Sequence, residues 1–501
     1  MSVASFLRDS ALSNPEKTAV YFNNTEIQYK QLNMEADSLA RGLLNLGLGF
    51  GQMVGLLLGN SPDFIRSYFA VARAGGVILP INPLFKGEEI KFILNDAQVS
   101  ILITVKAFLP LIESIRNDVP SLKRTIVSGG ETNDQAIDLD ILLIEGSYPI
   151  DVPVQESDTA ACLYTSGTTG KPKGALLSHG NLIFDALASS RRFEVDSEDT
   201  HLCVLPLFHS FAQMASMLIP ISSGGSIAIL PQFQPDVVLN EITKRKITCF
   251  CGVPAMFRIL LLALSGTKSF DLSSLRLCVC GGAPCPPEII QTYQEKIGIT
   301  LLEGNGPTET SPVSYVNPPH LCKPGSVGPP LDGVKVKIIN ESGQELPAGE
   351  VGEICIRGPN VMKGYLNQPE ATAEVLKEGW LHTGDLGKVD QDGYVYIVDR
   401  KKDMIIVGGF NVYPREVEEF LQKHPMVAEA AVIGIPDEKR GEAPKAFVVL
   451  KPGQKIAPRE LISYCRKNMA NFKYPKQVVI VDSLVKNSTG KVDKNFLRQI
   501  K

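Results

Sequence analysis

The sequence contains no apolar run of the ~18–20 residues that a membrane span requires. Its nearest approach, MLIPISSGGSIAIL, is interrupted by Pro, Ser and Gly. It has no cationic surplus either: 50 Lys and Arg against 54 Asp and Glu leave a net charge of −4, so nucleic acid is not an expected partner. The C-x2-C spacing of zinc sites is missing too. Among its ten cysteines, Cys249 and Cys251 alternate in ITCFCGV, and Cys278 and Cys280 in LRLCVCGG. That period places both sulfurs of a pair on one face of a buried strand, as reduced, packed thiols. The opening MSVASFLRDSALSNP carries Arg8 and Asp9 where the apolar centre of a signal peptide would stand, so a reducing, cytoplasmic setting is expected. A lipid substrate and peripheral membrane contact stay open.

A chain of 501 residues with 44% hydrophobic and 21% charged residues is that of a soluble globular protein of two or three domains. Helical and strand patterns alternate through the first half. EADSLARGLLNLGL is helical, MVGLLLG a short buried strand, SPDFIRSYFAVARAG a helix opened by Ser61 and Pro62, and GVILPIN a further strand. GEEIKFILNDA and VSILITV repeat the order, and later units do so through ITCFCGV, PAMFRILLLAL and LRLCVCGG. This is an α/β body with largely parallel sheets. After Lys323 the texture becomes Gly- and Pro-punctuated alternation (GEVGEICIRG, GYVYIVDR), which reads as a small antiparallel, barrel-like β region. From REVEEFLQKHP onward, helix, strand, strand, helix, strand forms an α+β module. Residues 402–501 carry 18 Lys and Arg against 11 Asp and Glu, a net of +7 that leaves −11 on the remainder. Texture and charge place a boundary near Arg400, giving a body of residues 1–400 and a basic module of residues 401–501 suited to an anionic ligand.

The densest chemical signal is YTSGTTGKPKGALLSHGN, Tyr164 to Asn181. Its glycines free backbone N–H groups to face phosphate, its hydroxyls add donors, and Lys171 and Lys173 add charge. A P-loop needs Ser or Thr directly after its Lys, whereas Pro172 follows Lys171 here.

The stretch YTSGTTGKPKG resembles the phosphate loop of the adenylate-forming acyl- and aryl-CoA synthetases, relatives of luciferases and peptide-synthetase adenylation domains. The similarity runs through nearly the whole chain. It implies a large N-terminal body of two α/β subdomains and a β region, a mobile C-terminal lid, and two half-reactions. A carboxylate and ATP give acyl-adenylate and pyrophosphate, and CoA then displaces AMP. By this resemblance Thr165, Ser166, Gly167, Thr168, Thr169, Gly170, Lys171 and Lys173 hold the ATP phosphates. Glu309 in EGNGPTETSPV matches the glutamate that holds Mg2+, and Thr308 beside it a phosphate or AMP contact. Gly282, Ala283 and Pro284, with Glu303, Gly304, Asn305 and Gly306, match the segments along the adenine. Asp385 matches the acceptor of the ribose hydroxyls, and Arg400 a second AMP contact.

Lys491 in VKNSTGKVDK matches the lysine that stabilises the charge moving during adenylation, and Lys402 the hinge about which the lid turns. Gly408, Gly409 and Phe410 match the segment along the thiol tunnel; His209 matches a gate beside the carboxylate, while His179 reads as structural. Phe211, Val253, Met256, Phe257 and Gly281 match acyl-pocket positions. The pocket stretches offer no Arg or Lys to pair a second carboxylate, which disfavours a dicarboxylic acid. The wording of YIVDRKKDMIIVGGFNVYPREVE and GPNVMKGY is nearest to bacterial medium- and long-chain fatty acyl-CoA ligases. An aryl or alicyclic acid stays open, as do loading of a carrier protein and a scaffold without catalysis, and the chain is expected as a monomer or homodimer.

Two residues depart from the pattern. Ala212 replaces a glycine common just after the gate histidine, and Asn305 stands where the family commonly has an aromatic ring to stack on adenine. A base–aromatic stack contributes ~1–3 kcal/mol. Asn305→Tyr is therefore expected to tighten ATP binding by that order in a calorimetric titration; unchanged or weaker affinity would contradict the reading.

Overall fold

The computed structural model describes residues 1–129, 136–143, 149–150, 152–165, 172–266, 268–486 and 492–500. They form two compact units, one of Met1–Val336 with Ile356–Leu381 and one of Lys337–Cys355 with His382–Lys501.

The first unit holds two eight-stranded sheets. One runs in the order Gly364–Tyr365, Lys173–Ser178, Thr159–Thr165, Val77–Pro80, Met53–Leu57, Ile101–Val105, Arg124–Ser128 and Ala136–Asp138. Its pairs from Thr159–Thr165 to Ala136–Asp138 are parallel, and its first two pairs are antiparallel. Strands such as Met53–Leu57 and Val77–Pro80 are buried at every residue, the continuous apolar signature of a parallel sheet covered on both faces. The other sheet runs Tyr315–Val316, Leu301–Asn305, Leu277–Cys280, Cys249–Gly252, Thr200–Cys203, Ser226–Ile229, Thr18–Phe22 and Thr25–Gln28. The cysteines of its CxC strands sit as the period predicts: all four are buried, with Cys278 and Cys280 in the same core cluster as Phe250. None of the ten cysteines forms a disulfide.

Helix starts follow local chemistry. The Ser61 hydroxyl accepts from Phe64 N–H with Pro62 at the first turn, opening Pro62–Arg73. Ser178 and Asn181 form a reciprocal capping box that opens His179–Phe193. Arg73 is fully buried and pairs with Asp37 at 2.7 Å, tying Pro62–Arg73 to Tyr29–Asn45. The hairpin Thr18–Phe22 and Thr25–Gln28 carries no local sign of its destination. It joins the far edge of the second sheet by parallel pairing with Ser226–Ile229, some two hundred residues on. Between Ser210–Gln213 and Ile219–Ser222 the chain forms a π-helical turn, Met214–Leu218.

In the second unit, Gly441–Leu450 is the central strand. It pairs antiparallel with Val427–Asp437 and Ile405–Val407 and parallel with Gln477–Ile480. Pro414–Gln422 and Pro458–Asn468 bury Val417, Leu421, Leu461 and Cys465 in the core cluster of this sheet. The short helix Lys494–Gln499 is held by charge. Lys494 Nζ lies 2.8 Å from Glu418 Oε1, with 18% and 17% of the two side chains exposed, and Arg498 lies 2.7 Å from Asp403. Glu418 also accepts from Val432 N–H at 2.8 Å. Removing one partner of a largely buried pair leaves the other charge uncompensated. Glu418→Ala is expected to destabilise this unit by about 3 kcal/mol, read by chemical denaturation.

Candidate active site

The strand Thr159–Thr165 ends where the phosphate loop begins, and Lys173–Ser178 returns antiparallel to it, with Thr165 opposite Lys173. Ser166, Gly167, Thr168, Thr169, Gly170 and Lys171 lie outside the described residues, as does Lys491. Lys173 is half-buried, and its Nζ lies 5.2 Å from the ring centroid of Tyr365. The Tyr365 hydroxyl donates to Glu309 Oε1 at 2.8 Å. Lys173 and Glu309, far apart in sequence, are thus joined by a third residue that the sequence reading did not single out.

Thr308 and Glu309 lie on the 3-10 turn Thr308–Thr310. Gly306 precedes the turn where a Cβ would fall 2.0 Å from the Pro312 carbonyl oxygen. Asn360 Nδ2 donates to the carbonyls of Thr310 and Val313 at 3.1 and 3.2 Å, and Met362 N–H to the Glu309 carbonyl at 2.8 Å. Asp185 Oδ2 accepts from Val313 N–H at 3.1 Å. On the other side, the Thr308 and Ser210 hydroxyls are 3.2 Å apart. His209 Nδ1 accepts from Phe211 N–H at 3.2 Å, and so caps Ser210–Gln213. The gate candidate and the phosphate-contact candidate are therefore neighbours.

Gly281, Gly282, Ala283 and Pro284 follow the strand Leu277–Cys280. A Cβ on Gly281 would meet the Phe211 ring at 3.0 Å, which places these two acyl-pocket candidates in contact. A Cβ on Gly282 would meet Val253 at 3.6 Å. Met256 and Val253 are half-buried, whereas Phe257 is fully buried between Phe250 and Tyr293, with ring centroids 5.1 and 5.2 Å away. Glu303 is buried, and its Oε1 accepts from Cys285 N–H at 3.0 Å, holding the far side of the Gly281–Pro284 turn. Gly304 and Asn305 end the strand Leu301–Asn305, with half-buried Asn305 opposite Tyr315. His179 is buried, and its Nδ1 accepts from Val3 N–H at 3.2 Å, a structural role.

In the second unit, Asp385 and Arg400 face each other across paired strands, and Arg400 Nε lies 2.9 Å from Asp385 Oδ1. Both AMP-contact candidates of this segment are thus brought together. Lys402 lies on the turn Lys401–Asp403, and burial lowers its pKa against the pull of Asp403. Gly408 and Gly409 form the two-residue link between Ile405–Val407 and Phe410–Val412, with φ of +58° and +86°. A two-residue hairpin link of this hand requires positive φ at both positions, so the turn itself calls for both glycines. Phe410 is exposed and stacks on Phe472 at 4.7 Å. Around residue 491, Lys486 pairs with Val492, and Asp493 N–H donates to the Val485 carbonyl at 2.9 Å.

The donor chemistry fits Mg2+. Among the described residues no three His, Cys, Asp or Glu side chains cluster as a metal cage. Mg2+ dehydrates reluctantly and is usually bound through one or two carboxylates plus substrate phosphates. Glu309 provides such a carboxylate. Its Oε1 is engaged by Tyr365, and its other oxygen has no partner among the described residues.

A family model for AMP-binding enzymes matches residues 7–366, and one for the AMP-binding enzyme C-terminal domain matches residues 416–491. The chain is 38% identical to a long-chain-fatty-acid–CoA ligase of Bacillus subtilis, over 98% of this chain and 93% of that protein. It is equally 38% identical to a feruloyl-CoA synthase of Amycolatopsis, over 98% and 97%. The crystal structure of an anthranilate CoA ligase in complex with anthranoyl-AMP superposes with a TM-score of 0.92 at 32% identity, covering 99% of this chain and 96% of that one. Fold and site thus define an adenylate-forming acid–thiol ligase whose substrates are ATP, a carboxylic acid and CoA, with Mg2+ as the metal. The chain belongs to the AMP-binding enzyme family.

Asp185 gives the site's supporting layer a pH signature. Burial pushes its carboxyl well above the ordinary value of 3.8, against the Val313 N–H, which stabilises the anion. The folded state keeps a proton that the unfolded chain releases, so this group costs stability as pH rises above 3.8. Asp185→Asn keeps an acceptor for Val313 and removes that cost. Its unfolding midpoint is expected to exceed the parent's at pH 7 to 8, with the difference closing toward about pH 4 in differential scanning calorimetry.

Proposed function

We propose that the acid activated is a medium- or long-chain fatty acid and that the reaction is carried by the residues assigned from the sequence. The supporting observation is the meeting in the first unit of three separate segments: Lys173, the Thr308–Glu309 turn beside Ser210, and the Tyr365 strand. The substrate carboxylate oxygen attacks the ATP α-phosphorus, and pyrophosphate leaves. Two anions must approach, so their repulsion needs cationic screening. When bound at Glu309, Mg2+ supplies part of it by neutralising phosphate charge. Lys173 and the Thr165–Lys171 loop hold the departing pyrophosphate. Thr308 contacts the α-phosphate, while Asp385 and Arg400 take the ribose and AMP.

Lys491 stabilises the charge that shifts during attack. In the second half-reaction the CoA thiolate sulfur attacks the acyl carbonyl carbon and AMP leaves. Residues 401–501 act as a lid that turns about Lys402, and Gly408 to Phe410 line the path of the pantetheine arm. Support for a fatty acid comes from the apolar character of the Phe211 and Val253–Phe257 stretches and from the wording shared with fatty acyl ligases. Each buried CH2 is worth ~0.8 kcal/mol, which lets an apolar pocket select chain length. The feruloyl-CoA relative of equal identity keeps an aryl acid as the second reading. A reducing cytoplasm suits ten cysteines that form no disulfide, and among the described residues no helix is long and apolar enough to cross a membrane.

Pyrophosphate release measured with a panel of acids, with and without CoA, tests the substrate reading. Fatty acids are expected to give the highest kcat/KM, with acyl-CoA formed when CoA is present; preference for cinnamic or benzoic acids would replace it with the aryl reading. Lys491→Ala is expected to lower adenylation by ~10²–10³, with thioester formation from supplied acyl-adenylate far less affected. A loss below fivefold would remove the assignment of Lys491.

A further inference from the structure

Tyr365 is held as a rigid part of the phosphate-loop sheet. Gly364 and Tyr365 pair with Leu176 and Ala175 on the strand that leaves the loop, and Leu366 N–H donates to the Gly174 carbonyl at 2.8 Å. Behind it, the Thr372 hydroxyl accepts from Tyr365 N–H at 2.8 Å and donates to the Gln368 carbonyl at 2.8 Å. A Cβ on Gly364 would lie 2.7 Å from Thr372, so the helix Pro369–Val375 seats directly against this strand. The same segment grips Glu309 twice, through Met362 N–H on its carbonyl and the Tyr365 hydroxyl on its Oε1, both at 2.8 Å. The Tyr365 ring meanwhile receives the Lys173 ammonium, 5.2 Å from its centroid.

This placement solves a charge problem. Lys173 and Glu309 have opposite charges and opposite tasks: one attracts phosphate, the other a cation. A direct ion pair would neutralise both. Among the described residues the Lys173 ammonium is placed against the Tyr365 ring and against no carboxylate. It meets an aromatic face, an attraction that leaves the ammonium its full charge. Glu309 meets a neutral hydroxyl donor, which fixes one oxygen without supplying a counter-charge.

We propose that Tyr365 is a positioning residue for the metal: it orients Glu309 so that the free oxygen faces the metal–phosphate site, and its ring keeps Lys173 from pairing with that carboxylate. The proposal rests on the reading of Glu309 as the metal carboxylate. Residues that hydrogen-bond a metal ligand typically change metal affinity 10–100-fold when lost.

The test uses the full-length protein and Tyr365→Phe, which keeps the ring over Lys173 and removes only the hydroxyl. With a non-hydrolysable α,β-methylene ATP analogue present, Mn2+ binding is read from loss of the free-ion EPR signal. The Mg2+ dependence of pyrophosphate release is measured in parallel. Tyr365→Phe is expected to raise the Mn2+ dissociation constant and the half-saturating Mg2+ concentration by about tenfold, with activity recovering as Mg2+ rises and KM for CoA unchanged. In a Glu309→Gln background, adding Tyr365→Phe is expected to change nothing further, because the hydroxyl acts through that carboxylate.

Normal metal titrations in Tyr365→Phe beside shifted ones in Glu309→Gln would overturn the role of Tyr365 alone. Normal titrations in Glu309→Gln would remove the metal reading of Glu309 itself. A Tyr365→Phe effect of equal size in both backgrounds would also overturn the proposal. Should Tyr365→Phe not fold, 3,5-difluorotyrosine at position 365 replaces it: a more acidic phenol donates more strongly, and tighter Mn2+ binding is expected, with unchanged binding overturning the proposal.

Discussion

The chain doubles back at Gly306 so closely that a Cβ there would lie 2.0 Å from the Pro312 oxygen and 2.7 Å from the Ser314 nitrogen. No side chain can enter that space, and the rest of the first unit's site hangs from this approach. With the backbone folded so tightly, its polar groups need partners from elsewhere. Asn360 serves the carbonyls of Thr310 and Val313, Asp185 the N–H of Val313, and Met362 the carbonyl of Glu309. Thr308 and Glu309 therefore project from a turn braced on three sides. A charged group on such a turn loses little when a ligand orders it, which is the physical content of preorganisation.

The second unit solves a different problem. Its ligand-facing candidates are cations and a diol acceptor, and like charges at short range must be kept apart by carboxylates. Arg400 takes Asp385, Arg498 takes Asp403, and Lys494 takes Glu418. These pairs tie the strand end at Arg400, the turn Lys401–Asp403 and the helix Lys494–Gln499 into one charge network. Asp385 is already paired with Arg400, so under the proposed assignment a ribose diol would share that carboxylate. A guanidinium has donors enough to remain on one carboxylate oxygen and reach an anionic neighbour as well.

Much of this was legible in the sequence because it is local. Ser61 with Pro62 and Ser178 with Asn181 announce their helices within one turn. The CxC strands and the fully apolar runs announce burial by period alone. Tyr365 was not legible because nothing near it in the sequence is charged in the way its role demands; only the pairing with Ala175 carries it to Lys173 and Glu309. The N-terminal hairpin failed to show its sheet for the same reason, its partner being Ser226–Ile229. The π-helical turn Met214–Leu218 follows Ala212, where the sequence flagged a departure, but a register change of one residue leaves no mark in apolar periodicity. Gly408 and Gly409, matched to the thiol tunnel by resemblance, also meet the hairpin's own requirement for positive φ, which their local sequence does not announce.

The missing hydroxyl after Lys171 follows from topology. A P-loop joins a strand to a helix and offers its phosphates a helix N-terminus, with Lys followed by the Ser or Thr that helps hold the metal. In this chain the residues flanking the loop belong to two antiparallel strands that close at Thr165 and Lys173, and the helix opens only at His179. The described strand Lys173–Ser178 therefore stands where a P-loop would put its helix dipole. Under the proposed reading, positive potential comes from side chains instead, and the carboxylate for the metal comes from another segment. Glu309 arrives on the Gly306 turn, and Tyr365 arrives on the strand beside Lys173–Ser178. Under the proposed assignment of the metal to Glu309, the position after Lys171 needs no metal-holding hydroxyl, and Pro172 meets no such demand.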